Sequence, residues 1–112
     1  WAEDAHMTFT IHTDAPVTPI SPLESIQIAV NRITKNGKVL GENQRLTRSE
    51  AYKKMTIDAA KLNNTHACEG SIQEGNVADF VILNQNPLND KVILNDDLIE
   101  MTICNSEVIY SI

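Results

Sequence analysis

The residues with the most direct chemical potential lie near the start of the chain, in the sequence Ile11-His12-Thr13-Asp14-Ala15. A carboxylate such as that of Asp14 can bind a divalent metal ion and exchange a proton with a water molecule on that metal. The proline-rich residues that follow favour a simpler interpretation, an aspartate that opens a turn. On spacing alone the turn is the stronger interpretation, so a catalytic role for Asp14 needs support from elsewhere.

The element that would position this acid is a strand over residues 7–13, whose side chains alternate in polarity. Phe9 and Ile11 share one face, whereas His12 and Asp14 share the polar face. An apolar back and a polar front are typical of a barrel strand with helices behind it and a site in front. His12 could contact a substrate or hydrogen-bond the acid, and a histidine that only lines the barrel is at least as good an interpretation.

Capping signals predict three helices after the proline-rich loop. Ser21-Pro22-Leu23-Glu24 predicts a capped helix start, and Asn36-Gly37 predicts its end. Thr47-Arg48-Ser49-Glu50 predicts a second capping box, followed by a helix to about Met55. A third helix is expected over residues 56–62, before Asn63-Asn64.

From Gly70 onward the hydrophobic period changes, which predicts a β-rich region. Strands are expected at residues 79–83, 99–104 and 108–110, with a hairpin turn at Asn105-Ser106. In the run Gly70-Ser71-Ile72-Gln73-Glu74-Gly75-Asn76-Val77-Ala78-Asp79, Gly75 is assigned to a turn with positive φ and Asp79 to capping of backbone amides. A single boundary is predicted near residues 64–70.

Composition excludes several function classes. The net charge of −6 argues against nucleic acid or an anionic membrane surface as a partner. No apolar run approaches the roughly 20 residues of a membrane helix, and no secretory leader is visible. With 112 residues that open directly on Trp1, the chain is expected to be a piece of something longer, because α/β barrels need roughly 250 residues. Sparse aromatic residues predict an aliphatic core.

The two cysteines, Cys68 and Cys104, lie outside any Cys-x-x-Cys pattern, which excludes a zinc ribbon or a redox motif. A disulfide stays open on sequence alone. The favoured interpretation is two reduced, mostly buried thiols in a cytoplasmic protein. His66 and Cys68 are ligand-type side chains two residues apart, but without a second pair a loop pair with no role is favoured.

Two stretches of the chain resemble the metal-dependent amidohydrolases. Thr10-Ile11-His12-Thr13-Asp14-Ala15-Pro16-Val17-Thr18-Pro19 resembles the last barrel strand and loop of the amidohydrolase family 3, or YtcJ-like, branch, with Thr13 in place of a serine. The run from Gly70 to Asp79 is similar to the turn that opens the C-terminal part of the β-sandwich domain in the same enzymes. Thr56-Ile57-Asp58-Ala59-Ala60 resembles a Thr-x-Asn-Ala-Ala stretch there.

The resemblance implies an α/β fragment of a larger enzyme. Residues 1–66 would be the last strand and helices of a TIM-barrel amidohydrolase, and residues 67–112 the C-terminal strands of its composite β-sandwich domain. The implied reaction is hydrolysis of an amide or other non-peptide C–N bond with a divalent metal, zinc being the expected ion. Asp14 would be metal ligand and general base, and His12 a candidate substrate contact. The family's other ligands have no counterpart, so the fragment alone is expected to be inactive and without tightly bound metal.

Two further interpretations stay open. The chain could be a free-standing small α+β module that binds a partner without catalysis, or its elements could repack as a homo-oligomer. The partners implied by the resemblance are a small amide-type substrate, with neither nucleic acid nor membrane. Self-association of the fragment is also expected, because unpaired strand edges recruit other chains.

Overall fold

The structure, a computed structural model, describes residues 2–112 and has an α/β architecture of three helices and a three-stranded sheet. The helices and strands have the following bounds: α1 Pro22–Asn31, α2 Arg48–Met55, α3 Ile57–Leu62, β1 Phe80–Leu83, β2 Ile99–Cys104 and β3 Glu107–Ser111. The longest of these helices, α1, has ten residues, so no described helix reaches across a bilayer, which takes about 20 residues.

Helix α1 begins where the sequence predicts and ends earlier. The Oγ of Ser21 accepts a hydrogen bond from the backbone N–H of Glu24 at 3.2 Å, which caps the first turn. The predicted end at Asn36-Gly37 is wrong, because Arg32 already takes the left-handed conformation with φ of 52°. Its guanidinium Nε donates to the carbonyl of Leu40 at 2.6 Å, which holds the following residues folded back on the helix end. Gly37 lies in that fold-back with φ of 77°.

Helix α2 confirms the predicted capping box, whereas α3 begins without a side-chain cap. Thr47 Oγ1 accepts from the N–H of Glu50 at 3.2 Å, and the Glu50 carboxylate accepts from the N–H of Thr47 at 2.7 Å. Hydrogen bonds from both Thr47 groups hold the pKa of Glu50 below its usual value, so the carboxylate stays charged at the helix N-terminus. Helix α3 begins at Ile57, one residue later than predicted, and Thr56 lies between the two helices.

The strands form an antiparallel sheet in the order β1-β2-β3. The predicted hairpin is confirmed, since β2 and β3 pair through a turn at Asn105 and Ser106, whose φ angles are 48° and 69°. Two successive positive φ angles twist the turn in the sense that matches paired strands. All five residues of β3 are exposed, so the outer edge of the sheet lies at the surface.

The core is aliphatic, as predicted, and it joins α1 and α2 to a region far along the chain. Leu94 is 1% exposed and Ile26 is 2% exposed, which makes them the best-buried large side chains. The cluster of buried residues comprises Leu23, Ile26, Ala51, Val92, Leu94 and Leu98. It therefore packs α1 and α2 against residues 92–98, across the predicted boundary near residues 64–70. The division into 1–66 and 67–112 stays a prediction.

Two sequence expectations are wrong. Residues 7–13 form no strand, because no other segment within residues 2–112 pairs with their backbone. The predicted alternation of faces nevertheless holds, since Phe9 and Ile11 are half-buried while His12 is exposed. Cys68 and Cys104 are free thiols as favoured, yet both are exposed rather than buried. The sequence gives no sign of this, because cysteine is usually among the most buried residue types.

Candidate functional site

Asp14 lies exposed at the start of a tight turn. Its carbonyl accepts from the N–H of Val17 at 2.8 Å, and its φ of 55° is in the left-handed region, which aspartate tolerates better than most residues. Thr18 Oγ1 donates to the carbonyl of Thr13 and closes the same loop. The loop fixes the backbone beneath the carboxylate and leaves the carboxylate itself at the surface. The structure therefore confirms that Asp14 opens a turn, and its catalytic role stays a prediction.

The structure brings His12 and Asp14 together through the backbone. The N–H of Asp14 donates to Nδ1 of His12 at 2.8 Å. Because Nδ1 is the acceptor in this hydrogen bond, Nε2 is the ring nitrogen left to donate. His12 therefore orients the loop with one nitrogen and presents an N–H donor with the other. The expected hydrogen bond to the acid goes to its main chain and not to its carboxylate.

The segment before the site is held against α2 by a lysine. Lys54 Nζ lies 2.8 Å from a carboxylate oxygen of Glu3 and 2.9 Å from one of Asp58. It also lies 4.3 Å from the centre of the Phe9 ring, a cation–π contact. Thr10 Oγ1 donates to the carbonyl of Lys54 at 2.8 Å. Lys54 is 6% exposed, so these contacts lie beneath the surface.

These contacts stabilise the charged forms of Lys54 and Asp58. The hydrogen bond from Lys54 to Glu3, helped by Asp58, raises the pKa of the lysine above its usual value despite burial. The hydrogen bond from Lys54, helped by Lys61, lowers the pKa of Asp58. Lys61 Nζ lies 3.0 Å from the second oxygen of Asp58. Asp58 is thus held between two cations on successive helical turns.

The donors present do not make a metal site. Within residues 2–112 no three of the His, Cys, Asp and Glu side chains lie close enough together to hold an ion. Nδ1 of His12 already accepts a hydrogen bond from the backbone N–H of Asp14. His66 and Cys68 are both exposed and belong to no such group. A tight site for a divalent ion takes three or four protein ligands, so Asp14 supplies one at most.

A groove of about 730 Å³ lies elsewhere, between α1 and residues 2–11, which we call the N-terminal segment. Its lining combines apolar residues such as Ile28 and Leu40 with Arg32, Arg45 and Glu50. Neither His12 nor Asp14 lines it. The groove and the candidate site therefore occupy separate places on the molecule.

The second signature run acts in the fold. Gly70 has φ of 83°, and a Cβ added there would lie 2.8 Å from the Cβ of Ala60, so no larger residue fits against α3. Gly75, with φ of 93°, lies in the predicted turn. Asp79 Oδ1 accepts from the N–H of Asn105 at 2.7 Å and so caps the β2–β3 turn from the entry of β1. Both structural assignments made from the sequence are confirmed.

Comparison with known proteins now identifies the family. A profile of the amidohydrolase family matches residues 1–110, which is almost the whole chain. The chain belongs to the amidohydrolase family. The resemblance stated from the two signature runs is thereby confirmed.

Relatives of this amidohydrolase chain are much longer proteins. YtcJ of Bacillus subtilis (strain 168), provisionally named an amidohydrolase, is 34% identical over 102 residues, which cover 88% of this chain and 19% of that protein. An N-substituted formamide deformylase of Arthrobacter pascens is 31% identical over 86 residues, covering 77% and 16%. Protein LONG AFTER FAR-RED 3 of Arabidopsis thaliana is 39% identical over 75 residues, covering 66% and 13%. The chain thus spans less than a fifth of each relative.

A solved structure supports the fold of this amidohydrolase chain. The crystal structure of an uncharacterized protein superposes with a TM-score of 0.57 at 28% identity, over 63% of this chain and 18% of that one. The matched region is again a small part of a larger protein.

Sequence reasoning missed two buried cations of α2. Lys54 and Arg48, in α2, are both 6% exposed, although charged helix residues are usually solvated. Arg48 donates to the carbonyls of Pro87 and Val92 at 2.9 and 2.5 Å. One signal was present for Lys54, because Asp58 follows it at the i+4 spacing of a helical ion pair.

Proposed function

We propose that this chain is the C-terminal part of a metal-dependent hydrolase that cleaves amide or other non-peptide C–N bonds, with Asp14 as its catalytic carboxylate. The observation that carries the proposal is the exposed carboxylate of Asp14, on a backbone fixed by hydrogen bonds, within a chain of the amidohydrolase family. Under this proposal residues 1–66 belong to a TIM barrel and residues 67–112 to a β-sandwich domain.

In this proposal Asp14 acts as a general base. An ionised carboxylate can take a proton from the attacking water and later deliver it to the departing amine. The imidazole of His12, whose Nδ1 accepts from the backbone of Asp14, has Nε2–H as a donor suited to a carbonyl oxygen of the substrate. The turn from Asp14 to Val17 keeps the acid in one orientation, which reduces the cost of aligning it with a substrate.

The choice of an amide substrate is supported by one relative. The Arthrobacter pascens protein is named as a deformylase of N-substituted formamides, which are amides. Membership of the family also supports a divalent metal ion as the cofactor, and we propose zinc. The donors within residues 2–112 do not fit a complete site, so the remaining ligands would come from other parts of a longer polypeptide. The exposed free thiols of Cys68 and Cys104 suit a reducing compartment, which supports the cytoplasm.

The test is the substitution Asp14→Asn in the complete polypeptide that carries this chain. The amide keeps the shape of the carboxylate and loses its charge and its basicity, so we expect turnover to fall at least about 100-fold. Turnover is measured on simple amides, including N-substituted formamides. Asp97→Asn changes another exposed aspartate and should leave turnover unchanged. Wild-type turnover in Asp14→Asn would refute the assignment, and metal-dependent turnover by the 112-residue chain alone would refute its dependence on further ligands.

A second candidate function is a free-standing binding module. The core shared by α1, α2 and residues 92–98 favours it, because the chain closes a core of its own. The sheet argues the other way, since Val81, Val108 and Ile109 are each more than half exposed and the edge of β3 is unpaired. We propose that the chain alone self-associates through this sheet. Light scattering at micromolar concentration should give a mass above 12.4 kDa; a cooperative monomer would favour the module.

A further inference from the structure

Lys54 is a buried cation that the proposed chemistry does not use. It lies in α2 with 6% of its surface exposed, and its ammonium group is 2.8 Å from Glu3 and 2.9 Å from Asp58. Asp58 alone, with Lys61 on its other oxygen, would satisfy an ordinary helical ion pair. The additional partners of Lys54 all lie in the N-terminal segment, so this residue connects that segment to α2.

Three contacts from that segment converge on Lys54. Glu3 binds the ammonium group, the Phe9 ring lies 4.3 Å from it, and Thr10 Oγ1 donates to the lysine carbonyl at 2.8 Å. Glu3 and Phe9 contact the charged group of the lysine, and Thr10 contacts its backbone oxygen. Together they hold the segment at two points six residues apart in sequence. The apolar counterpart is Ile11, which packs against the core.

The segment that Lys54 holds leads directly into the candidate site. Only Ile11 separates Thr10 from His12, and His12 in turn binds the backbone of Asp14. Because residues 7–14 have no strand partner among the described residues, side-chain contacts carry out the positioning that a sheet would otherwise supply. The hydrogen bonds around Asp14 are local, within five residues of one another, so they shape the loop without attaching it to the helices.

We propose that Lys54 is a positioning residue for the hydrolytic site: by binding Glu3 and Phe9 it docks the segment that carries His12 and Asp14 onto α2. This inference rests on the proposed function of Asp14. Lys54 touches neither the carboxylate nor the imidazole, and it acts through the backbone between them and Thr10. Its effect is therefore expected in the rate of the chemical step rather than in substrate affinity.

The docking itself is tested in the complete polypeptide that carries this chain, with two spin labels and with any cysteine outside residues 1–112 replaced by serine. Labels at Val17→Cys and Ser49→Cys, in a background with Cys68→Ser and Cys104→Ser, report the distance between the site loop and α2; both positions are exposed. We expect a narrow distance distribution in the otherwise unchanged chain and one at least twofold broader with Lys54→Met. Lys61→Met is the matched control, because Lys61 binds the same Asp58 and makes none of the contacts with the segment.

Catalysis is tested in the complete polypeptide. Lys54→Met should lower kcat at least tenfold and change KM less than twofold, whereas Lys54→Arg, which keeps a cation for Glu3 and Phe9, should recover most of kcat. Lys61→Met should keep both constants. If Lys54→Met does not fold, Glu3→Gln removes the ion pair from the segment side and should lower kcat in the same sense.

The outcomes separate this inference from the proposed function. An unchanged distance distribution and unchanged kcat in Lys54→Met or Glu3→Gln would overturn the inference while Asp14→Asn still abolishes turnover. Equal loss of kcat in Lys54→Met and Lys61→Met would also overturn it, because the helical ion pair alone would then explain the effect. Failure of Asp14→Asn to reduce turnover would instead overturn the proposed function, and the spin labels would still report whether Lys54 docks the segment.

Discussion

Residues 10–19 and residues 70–79 carry the two family signatures, and different kinds of contact hold them. The first signature begins at Thr10, which donates to the carbonyl of Lys54 in α2. From His12 onward its hydrogen bonds are local, from Asp14 to His12, from Val17 to Asp14 and from Thr18 to Thr13. The second run reaches across the molecule. Gly70 packs against α3, and Asp79 binds the turn between β2 and β3. One signature shapes a loop that presents side chains, and the other joins elements of the fold.

The first signature therefore serves the proposed chemistry, and the second serves the fold. Substitutions in residues 12–19 should change catalysis with little change in stability, and substitutions in residues 70–79 should do the reverse. The helix pair α2–α3 connects the two runs, because Lys54 of α2 holds the segment before Asp14 while Ala60 of α3 meets Gly70. The following predictions test this separation.

The largest stability effect is expected at Gly70. In Gly70→Ala the new Cβ would lie 2.8 Å from the Cβ of Ala60 and 2.9 Å from the Cα of Ile57, at a φ of 83° that disfavours alanine. We expect the free energy of unfolding to fall by about 2–4 kcal/mol. Gly75→Ala is the control, since φ is 93° and no atom lies within 4 Å, so the loss should be about 1 kcal/mol. Urea denaturation measures both, and equal losses would contradict the steric role of Gly70.

A smaller effect, on catalysis, is expected at His12. If Nε2–H contacts the substrate, His12→Ala and His12→Asn should both raise KM about tenfold, equivalent to about 1.4 kcal/mol. The side-chain oxygen of an asparagine can still accept a hydrogen bond from the backbone N–H two residues later, as Nδ1 of His12 accepts from Asp14. Recovery of KM in His12→Asn alone would therefore show that the imidazole only shapes the loop. Stability should change by less than about 0.5 kcal/mol in both variants.

Asp79 should contribute about 1 kcal/mol to stability. Asp79→Ala removes the acceptor of the Asn105 N–H, which lies 2.7 Å from Oδ1 at an exposed turn. Asp79→Asn keeps an acceptor oxygen and should lose less than half as much. Thermal unfolding of the two variants measures the difference. A loss of catalysis in Asp79→Ala without a loss of stability would break the separation between the signatures.

The smallest effect is a pH dependence at Asp58. Lys54, helped by Lys61, lowers the pKa of Asp58 in the folded chain. Its stabilisation is therefore complete above the unfolded pKa of about 4 and disappears as the pH falls through the lower folded value. Asp58→Asn should cost about 1 kcal/mol at pH 7, and its melting temperature should approach that of the wild type between pH 5 and pH 3. A constant difference over this range would contradict the ion-pair assignment.

Local signals in the sequence predict much of this fold. The capping box at Thr47 and Glu50, the strand pairing of β2 with β3 and the aliphatic core all follow from short-range patterns, because caps and hairpins depend on neighbouring residues. The end of α1 does not follow in this way. Arg32 adopts a positive φ and donates through its guanidinium to the carbonyl of Leu40. The sequence does not show this contact, and it instead suggests an end of the helix at Gly37.

Long-range packing accounts for what the sequence does not predict. The sequence predicts neither a helix nor a strand for the region that contains Val92, Leu94 and Leu98. Only the fold shows that these residues complete the core. Residues 7–13 have a strand pattern without a strand partner, since pairing depends on other segments. At the site, the motif identifies Asp14 and His12, but the burial of Lys54 follows from packing of the N-terminal segment onto α2.

The contacts that tie residues 92–98 to the helices bear on how the chain is synthesised. Gln27 binds the N–H of Leu94 across 67 residues of sequence, and Arg48 binds the carbonyl of Val92 across 44. A ribosome delivers α1 and α2 before these partners, so the helices lack their contacts with residues 92–98 until those residues have emerged. Contacts of such long range slow folding and prolong the exposure of aggregation-prone surface. Nascent chains arrested before residue 92 should therefore be the most dependent on chaperones.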